Sequence, residues 1–531
     1  MPTKIPLKFN QYFALFRSKT DIFWICAVFA GIVLGFPNQF FDAPFLVILW
    51  PAGCAVLGTR ATSFREALGA GWLASFLGAA VVLYWLYMPV HNVGNLPFPL
   101  AFACALFIAF VITSQSGLFS LFAWTLKDLS PWRRAFSLGI VWYFLEYLYA
   151  AFVGFPWLSP AGGLAIWPLL LQTCDLIGAY ATDGLWVCAA LLIFFAFPVC
   201  RDKHSKCLWP SLCVGLLICL TIPAYGLYRL CGDSPASGES VDALFVEGNV
   251  DQNTKWDPIF QRDTLNHYMA LSLSGLAAAR GKGVNNPLII WPETAMPFFY
   301  QSRPEMVSII RNFTREVDCP LLFGAPGLEK IAGEDEPVVF NRAFLLGPSG
   351  KLFGHYDKEH LVPFGEYLPS WLNFGFLEAL LQGVGVYHEG SQVAPLHYGP
   401  LALGMLICYE GIFPWLAQAR VSDGANLLVD ISNDGWFGTS PASRQHLYLT
   451  VPRCIEQGRW LMRATNTGIS AVIDKRGRIV MSGPQFRAGT LLAKARLENS
   501  FSPFHKLAPW EPACALFLLM LIAWPVALPK K

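Results

Sequence analysis

Hydrophobicity is segregated along this chain, and that segregation constrains the fold more than any single motif does. Residues 1–230 are dominated by long apolar blocks, residues 241–498 read as a mixed soluble domain, and residues 513–528 (ACALFLLMLIAWPVAL) are apolar again. An α-helix needs about 20 mainly apolar residues to cross a bilayer core. Stretches 67–88, 98–126, 135–153, 180–198 and 208–226 meet that requirement, whereas 22–41, 44–58 and the C-terminal block are short or interrupted by Pro. The expectation is an α-helical bundle of about eight spans, seven within 1–230 and one within 499–531. The first two stretches also suit a re-entrant hairpin. No A-x-A-like cleavage site follows the first block and further spans do, so an uncleaved anchor is expected.

Charge orients these spans. Lys4, Lys8, Arg17 and Lys19, then Arg60 and Arg65, then Lys127, Arg133 and Arg134, then Arg201, Lys203 and Lys206 mark alternate loops, while 37–43, 89–97 and 154–168 hold no Lys or Arg. With eight spans, every charged short segment and the Lys530–Lys531 tail share one face, which the positive-inside rule makes cytoplasmic. Both termini are then cytoplasmic. The 241–498 domain, preceded by an odd number of spans, lies on the opposite side.

Composition removes several classes of function. A chain that is 54% hydrophobic and 14% charged is too apolar for an ordinary soluble protein. Its net charge of +2 offers no basic surface for nucleic acid. Ten of the fourteen cysteines (26, 54, 104, 174, 188, 200, 207, 213, 219 and 514) lie in or beside apolar runs, where Cys behaves as a small hydrophobe, so no disulfide framework is expected. CxxC, HExxH and ligand-spaced Cys/His clusters are all missing from the sequence, so neither a metal nor another cofactor is expected.

The soluble stretch is bounded by GDSPASGES (232–240, within a 231–240 linker) and by the Pro-punctuated NSFSPFHKLAPWEP (499–512). Within it, 241–250, 286–293, 319–326, 401–408 and 425–433 are short, nearly continuous apolar runs that read as buried strands. AFLLGPSGKLFGHY and SAVIDKRGRIVMSG read as hairpins, and 257–280, 304–317 and 412–422 suit helices. The result is an α/β domain of its own.

Ligands and reactive side chains collect at strand ends in such domains. Glu293 follows one expected strand, Cys408 ends another, and Lys358 lies in HYDKEHLVPFGEYLP. A thiol reacts as thiolate, so it needs a base and a nearby cation or helix N-terminus. Glu293 suits the first task and Lys358 the second, with Lys358 and a backbone N–H beside Cys408 placed to stabilise an oxyanion. That is acyl transfer through a thioester. On residues alone, a salt-bridged Lys, a solvated Glu and a core Cys stay equally open.

WPETA (291–295), YDKEHLVPFGEYLP (356–369), LICYEGIFP (406–414), SNDGWFG (432–438) and RATNTGISAVID (463–474) resemble, in order, the motif series of the nitrilase superfamily. The flanking membrane segments, with GFPWL at 154–158, narrow the resemblance to the apolipoprotein N-acyltransferase family. It implies an extracytoplasmic αββα sandwich with Glu293 as general base, Lys358 assisting the tetrahedral intermediate and Cys408 as the acylated nucleophile. Glu366, Tyr409, Glu410 and Trp256 match supporting positions. The implied reaction moves an acyl chain from a phospholipid, with phosphatidylethanolamine the expected donor, to the α-amino group of the N-terminal diacylglyceryl-cysteine of an apolipoprotein. The site would face the periplasm from a bacterial inner membrane. The alternative is a membrane-tethered amidase that hydrolyses a small amide with the same triad.

Other features keep two readings. WLNFGFLEALLQGVGVY (371–387) suits a mobile lid touching the bilayer or a core helix. Phe298, Phe299 and Tyr300 suit an acyl-chain entrance or core packing, and Trp436 and Phe437 share that ambiguity. Glu146, inside an expected span, reads as a structural hydrogen bonder although intramembrane carboxylates are functional suspects. The family often has Arg three residues later, where this chain has Tyr149. His360 and His446 read as structural hydrogen bonders.

Overall fold

The computed structural model describes residues 18–523 apart from 93, 198–207, 233–238, 332–335, 364 and 368–386. Two compact units emerge: Met1–Tyr84 with Ala103–Tyr228 and Leu507–Lys531, and Trp85–Phe102 with Arg229–Lys506.

Helices build the first unit. Five are long and apolar enough to cross a membrane, namely Phe98–Thr125, Pro131–Phe152, Cys174–Phe194, Trp209–Cys231 and Pro503–Ala523, or six if Phe64–Val82 with Tyr84–Asn92 forms one bent span. The expected count of eight therefore becomes five or six among the described residues. Lys19–Gly35 has only 17 residues, and Pro44–Arg60 is another short apolar segment. Pro37 ends the first of these: it favours the extended backbone seen at Phe36 (φ −100°, ψ 154°). Helix contact in this unit relies on missing side chains. A Cβ on Gly139 would meet Gly184 O at 2.6 Å, so Pro131–Phe152 and Cys174–Phe194 approach at backbone distance. Glu146 is buried on the first of these helices and lines a small cavity with Gln115, Tyr149, Ser159 and Tyr180.

The second unit is an αββα sandwich. One sheet runs β12-β1-β2-β3-β4-β5 and the other β11-β10-β9-β8-β7-β6. In the first, β1 (Ser240–Glu247), β2 (Leu288–Ile290) and β3 (Leu321–Glu329) are parallel, and β4 (Val338–Leu346), β5 (Leu352–Asp357) and β12 (Gly489–Arg496) pair antiparallel. The second repeats this plan: β7 (Leu401–Ile407), β8 (Leu427–Ser432) and β9 (Leu461–Thr465) are parallel, with β6 (Leu396–Tyr398), β10 (Ala471–Ile473) and β11 (Ile479–Ser482) antiparallel. All five expected strands and both hairpins are present. Strands β6, β9 and β12 and the helix Ala442–Gln457 are additional elements; buried Arg463 breaks the apolar pattern of β9, and Pro452 lies inside the helix.

Period-two alternation assigns each strand residue to a layer. Ala243 and Phe245 of β1 face the other sheet, where they join Leu403, Met405, Ile407, Val429 and Ile431. Leu244 and Val246 face outward and pack with Leu265, Leu276, Ile310 and Phe313 of the helices Gln261–Arg280 and Pro304–Val317. Phe245 is fully buried between the sheets. Phe245→Ala is expected to destabilise the domain by about 3–5 kcal/mol through a cavity that close-packed sheets cannot collapse. Thermal unfolding of the purified chain checks this.

Trp85–Phe102, the loop 89–97 with the ends of the two expected spans beside it, clusters with the sandwich. Trp85 is the anchor: its indole N–H donates to Gln445 Oε1 at 3.1 Å, and its ring meets Phe437 edge-on at 4.9 Å. A buried Trp needs a partner for its N–H, and here that partner comes from Ala442–Gln457.

Candidate active site

β5 is antiparallel to β4, which is antiparallel to β3, so the carboxyl ends of β2, β3 and β5 point the same way. Glu293 and Lys358 therefore leave one sheet at one edge. Cys408 leaves the carboxyl end of β7 in the facing sheet.

Lys358 is fully buried. Its ammonium lies 2.8 Å from Glu366 Oε2 and 3.8 Å from Glu293 Oε1. Asn341 Nδ2, from β4, donates to Glu293 Oε1 and to Glu366 Oε1, both at 2.7 Å, and Val362 N–H donates to Glu366 Oε2 at 2.8 Å. Burial alone would pull Lys358 down, but Glu366 and Glu293 outweigh it and hold the ammonium above the usual lysine range. Burial pushes Glu293 up while Lys358 restrains it. The resting arrangement is thus a charged lysine bridging two carboxyl groups.

Cys408 has a left-handed φ of 57° and is 8% exposed. For a side chain with a Cβ this backbone is strained by about 1–3 kcal/mol, and surrounding contacts must hold it. They do: Cys408 N–H donates to Asp430 Oδ1 at 3.0 Å, and His446 Nε2 lies 3.2 Å from Cys408 O. Asp430 pairs with buried Arg463, which also reaches Asp434 Oδ1 at 3.1 Å and His446 Nδ1 at 2.9 Å. His446 Nδ1 also lies 3.1 Å from Asp434 Oδ1, so the ring is clamped between Asp434 and the Cys408 carbonyl. Burial and Arg463 lower its pKa, while Asp434 opposes them. Burial pushes the Cys408 thiol well up, as does Glu293, while Lys358 opposes them. The resting thiol is protonated, so its reactivity depends on a base. Cys408's own N–H is engaged by Asp430, and both Lys358 and Arg463 interact electrostatically with its sulfur.

Glu410 holds the two halves of the site in register. Its carboxylate accepts from Tyr356 OH at 2.8 Å, Glu359 N–H at 2.7 Å, His360 N–H at 3.0 Å and Ile407 N–H at 2.7 Å. The turn after Lys358 and the turn at Cys408 are thereby tied to one side chain. Tyr409 packs edge-on against Phe413 at 5.0 Å and stacks on His360 at 6.0 Å. Trp256 is 42% exposed and follows Lys255, whose ammonium donates to Thr294 Oγ1 at 2.7 Å.

Cys408, Asp434 and His446 place ligand-type atoms within 4.8 Å of one another, a juxtaposition their spacing does not reveal. Arg463 already donates to Asp434 and lies 2.9 Å from His446 Nδ1, and its charge opposes a second cation there. Glu329, His355 and Asp357 form a similar group, filled by Arg342, which pairs with Asp357 and Glu329.

Comparison with known proteins decides the family. Residues 259–500 match the carbon-nitrogen hydrolase family and residues 30–192 the apolipoprotein N-acyltransferase N-terminal domain. An apolipoprotein N-acyltransferase of Geobacter metallireducens is 34% identical over 515 residues, covering 94% of this chain and 95% of its own length. The chain belongs to the apolipoprotein N-acyltransferase family. A member from Pseudomonas syringae pv. tomato is 30% identical over 486 residues, covering 88% of this chain and 89% of its own. Among solved structures, an amidase from Nesterenkonia sp. aligns with TM-score 0.36 and 18% identity over 51% of this chain and 94% of its own.

Of the residues singled out from sequence, Glu293, Lys358, Glu366, Cys408, Tyr409 and Glu410 converge in this N-acyltransferase domain. Phe298 and Tyr300 are buried in the helix-facing core, while Phe299 is 38% exposed. His360 packs against Tyr409 and Phe413, and His446 acts as a hydrogen bonder. The candidate lid lies outside the described residues except for Tyr387, whose N–H donates to Glu366 O at 3.0 Å. Sequence reading missed Asn341, Asp430, Arg463 and Lys255. Asn341 and Asp430 carried a usable signal, since polar residues inside buried strands are depleted and need partners.

Proposed function

We propose that this chain takes a fatty acyl group from a phospholipid onto Cys408 and passes it to the α-amino group of an N-terminal diacylglyceryl-cysteine of an apolipoprotein. The observation that carries this reading is a strained, protonated thiol opposite a buried Glu293–Lys358–Glu366 cluster. Glu293 takes the Sγ proton as sulfur attacks the ester carbonyl, and Lys358 faces the oxyanion. The departing lysophospholipid oxygen recovers the proton from Glu293. In the second half, the amine attacks the thioester, Glu293 accepts its proton, and the released thiolate is reprotonated. Asn341 and Glu410 hold the geometry for both halves.

The match to an N-acyltransferase N-terminal domain favours this over hydrolysis by a tethered amidase. Phosphatidylethanolamine is the proposed donor. The distribution of Lys and Arg supports a periplasmic site on a bacterial inner-membrane protein with cytoplasmic termini.

Incubating the purified chain with phosphatidylethanolamine is expected to add one acyl mass, mapped to Cys408 and missing in Cys408→Ala. A diacylated lipopeptide amine should discharge it far faster than water does. Equal discharge by water would identify a hydrolase instead.

A further inference from the structure

Lys255 is a buried cation for which the reaction above has no task. It closes the short helix Gln252–Lys255, its side chain is fully buried, and Nζ donates to Thr294 Oγ1 at 2.7 Å. Thr294 directly follows Glu293 and has a left-handed φ of 47°. An uncompensated buried ammonium is expensive, and an apolar side chain of similar length would fill this space without the desolvation cost. The segment is also held in place. Gln252 donates to Asn433 Oδ1 at 2.9 Å, Val250 N–H to Asn466 Oδ1 at 3.0 Å, and Asn466 Nδ2 to Val250 O at 2.9 Å. Lys255 cannot swing to solvent without breaking contacts to the ends of β8 and β9.

We infer that Lys255 is a positioning residue for Glu293: as an ammonium it keeps the neighbouring carboxyl ionised in mildly acid conditions, and as an amine it leaves that task to Lys358. The inference rests on Glu293 being the base. The charged and titratable groups facing Glu293 are Lys358 at the end of β5, Glu366 in the turn that follows, Lys255 from the helix before, Cys408 and Asp430 from the other sheet, and Tyr387; Glu293 is the charged group facing Lys255. Burial pulls Lys255 down to about 7, with Glu293 pulling it back up. An adjacent ammonium lowers the pKa of a carboxyl, so removing it raises the pH at which Glu293 loses its charge. Above about pH 7 the amine is mostly neutral, and its removal changes little.

The test follows the rate at which iodoacetamide alkylates Cys408 in the full-length chain in detergent, by mass mapping of the Cys408 peptide across pH. No lipid substrate is needed. In Lys255→Met the acidic limb should move to higher pH, several-fold slower than wild type near about pH 6 and within about twofold near about pH 8. Lys255→Arg, which stays charged, should retain the wild-type rate near about pH 6. Thr294→Val removes only the hydrogen bond and should move the limb the same way by less, which decides the matter if Lys255→Met does not fold. A loss uniform across pH, or an unmoved limb in both Lys255→Met and Thr294→Val, overturns the inference. Glu293→Gln separates it from the reading beneath it. If Glu293→Gln leaves the limb unmoved, Glu293 is not the base and that reading fails. If it flattens the limb while Lys255→Met does not shift it, only the role of Lys255 fails.

Discussion

Glu293→Gln lowers single-turnover acylation of Cys408 near neutral pH by about 10³-fold while leaving the fold intact, as an intact-mass time course with phospholipid will show. The size follows from the role, since general bases contribute about 10²–10⁴-fold. It should lie toward the upper part of that range because the thiol is buried and holds its proton, so solvent hydroxide has poor access to it. Gln keeps the shape and an oxygen that can accept from Asn341 Nδ2, as Glu293 Oε1 does at 2.7 Å. Thermal unfolding should therefore move little. An acylation rate within about threefold of wild type would sink the assignment of Glu293 as base.

Arg463→Met has the largest expected effect on stability. Arg463 is fully buried and pairs with Asp430 and Asp434, both also fully buried. Burial pushes Asp434 up, but Arg463 and the hydrogen bond to His446 outweigh it and hold the carboxyl below the usual range. Removing the guanidinium strands the Asp434 carboxylate in the core, while Asp430, which burial already pushes up to about 7, takes up a proton; the cost is about 3–5 kcal/mol. For a domain of this size that lowers the apparent melting temperature by roughly 10 °C, readable by tryptophan fluorescence at a fixed scan rate. Because Asp430 also accepts the Cys408 N–H, the strained turn loosens with it, and acylation should fall alongside stability. Unchanged melting would mean that water solvates these carboxylates and that the pair is not the clamp on Cys408.

Much of the sandwich was legible because its strands obey local rules. Short apolar runs such as 401–408 became β7, and the Gly-containing turns at 347–350 and 474–478 became hairpins. The failures share a cause. Strand β9 contains Arg463, and its charge breaks the apolar run; only the carboxylates of β8 and the turn beyond it explain why an arginine is buried there. Among the described residues the span count falls short where the chain breaks its helices, at Pro37 and at the bend between Phe64–Val82 and Tyr84–Asn92, which mean hydropathy does not register. Trp85, at the end of an expected span, is buried by the sandwich through Phe437 and Gln445, which no local pattern announces.

The sequence by itself determined that the chain has apolar helices flanking an α/β domain, and that Glu293, Lys358 and Cys408 stand at strand ends. Hydropathy, side-chain period and turn chemistry are sums over neighbours in the chain, so they survive without coordinates. Only the tertiary structure decided that Cys408 is held in a left-handed turn by Asp430, that Asn341 bridges two carboxyl groups, and that a second buried lysine bonds to Thr294, the residue after Glu293. Each of those facts depends on hydrogen bonds between residues 22 to 48 positions apart. Their worth comes from exclusion of water, and exclusion of water is a property of the packed sheets as a whole.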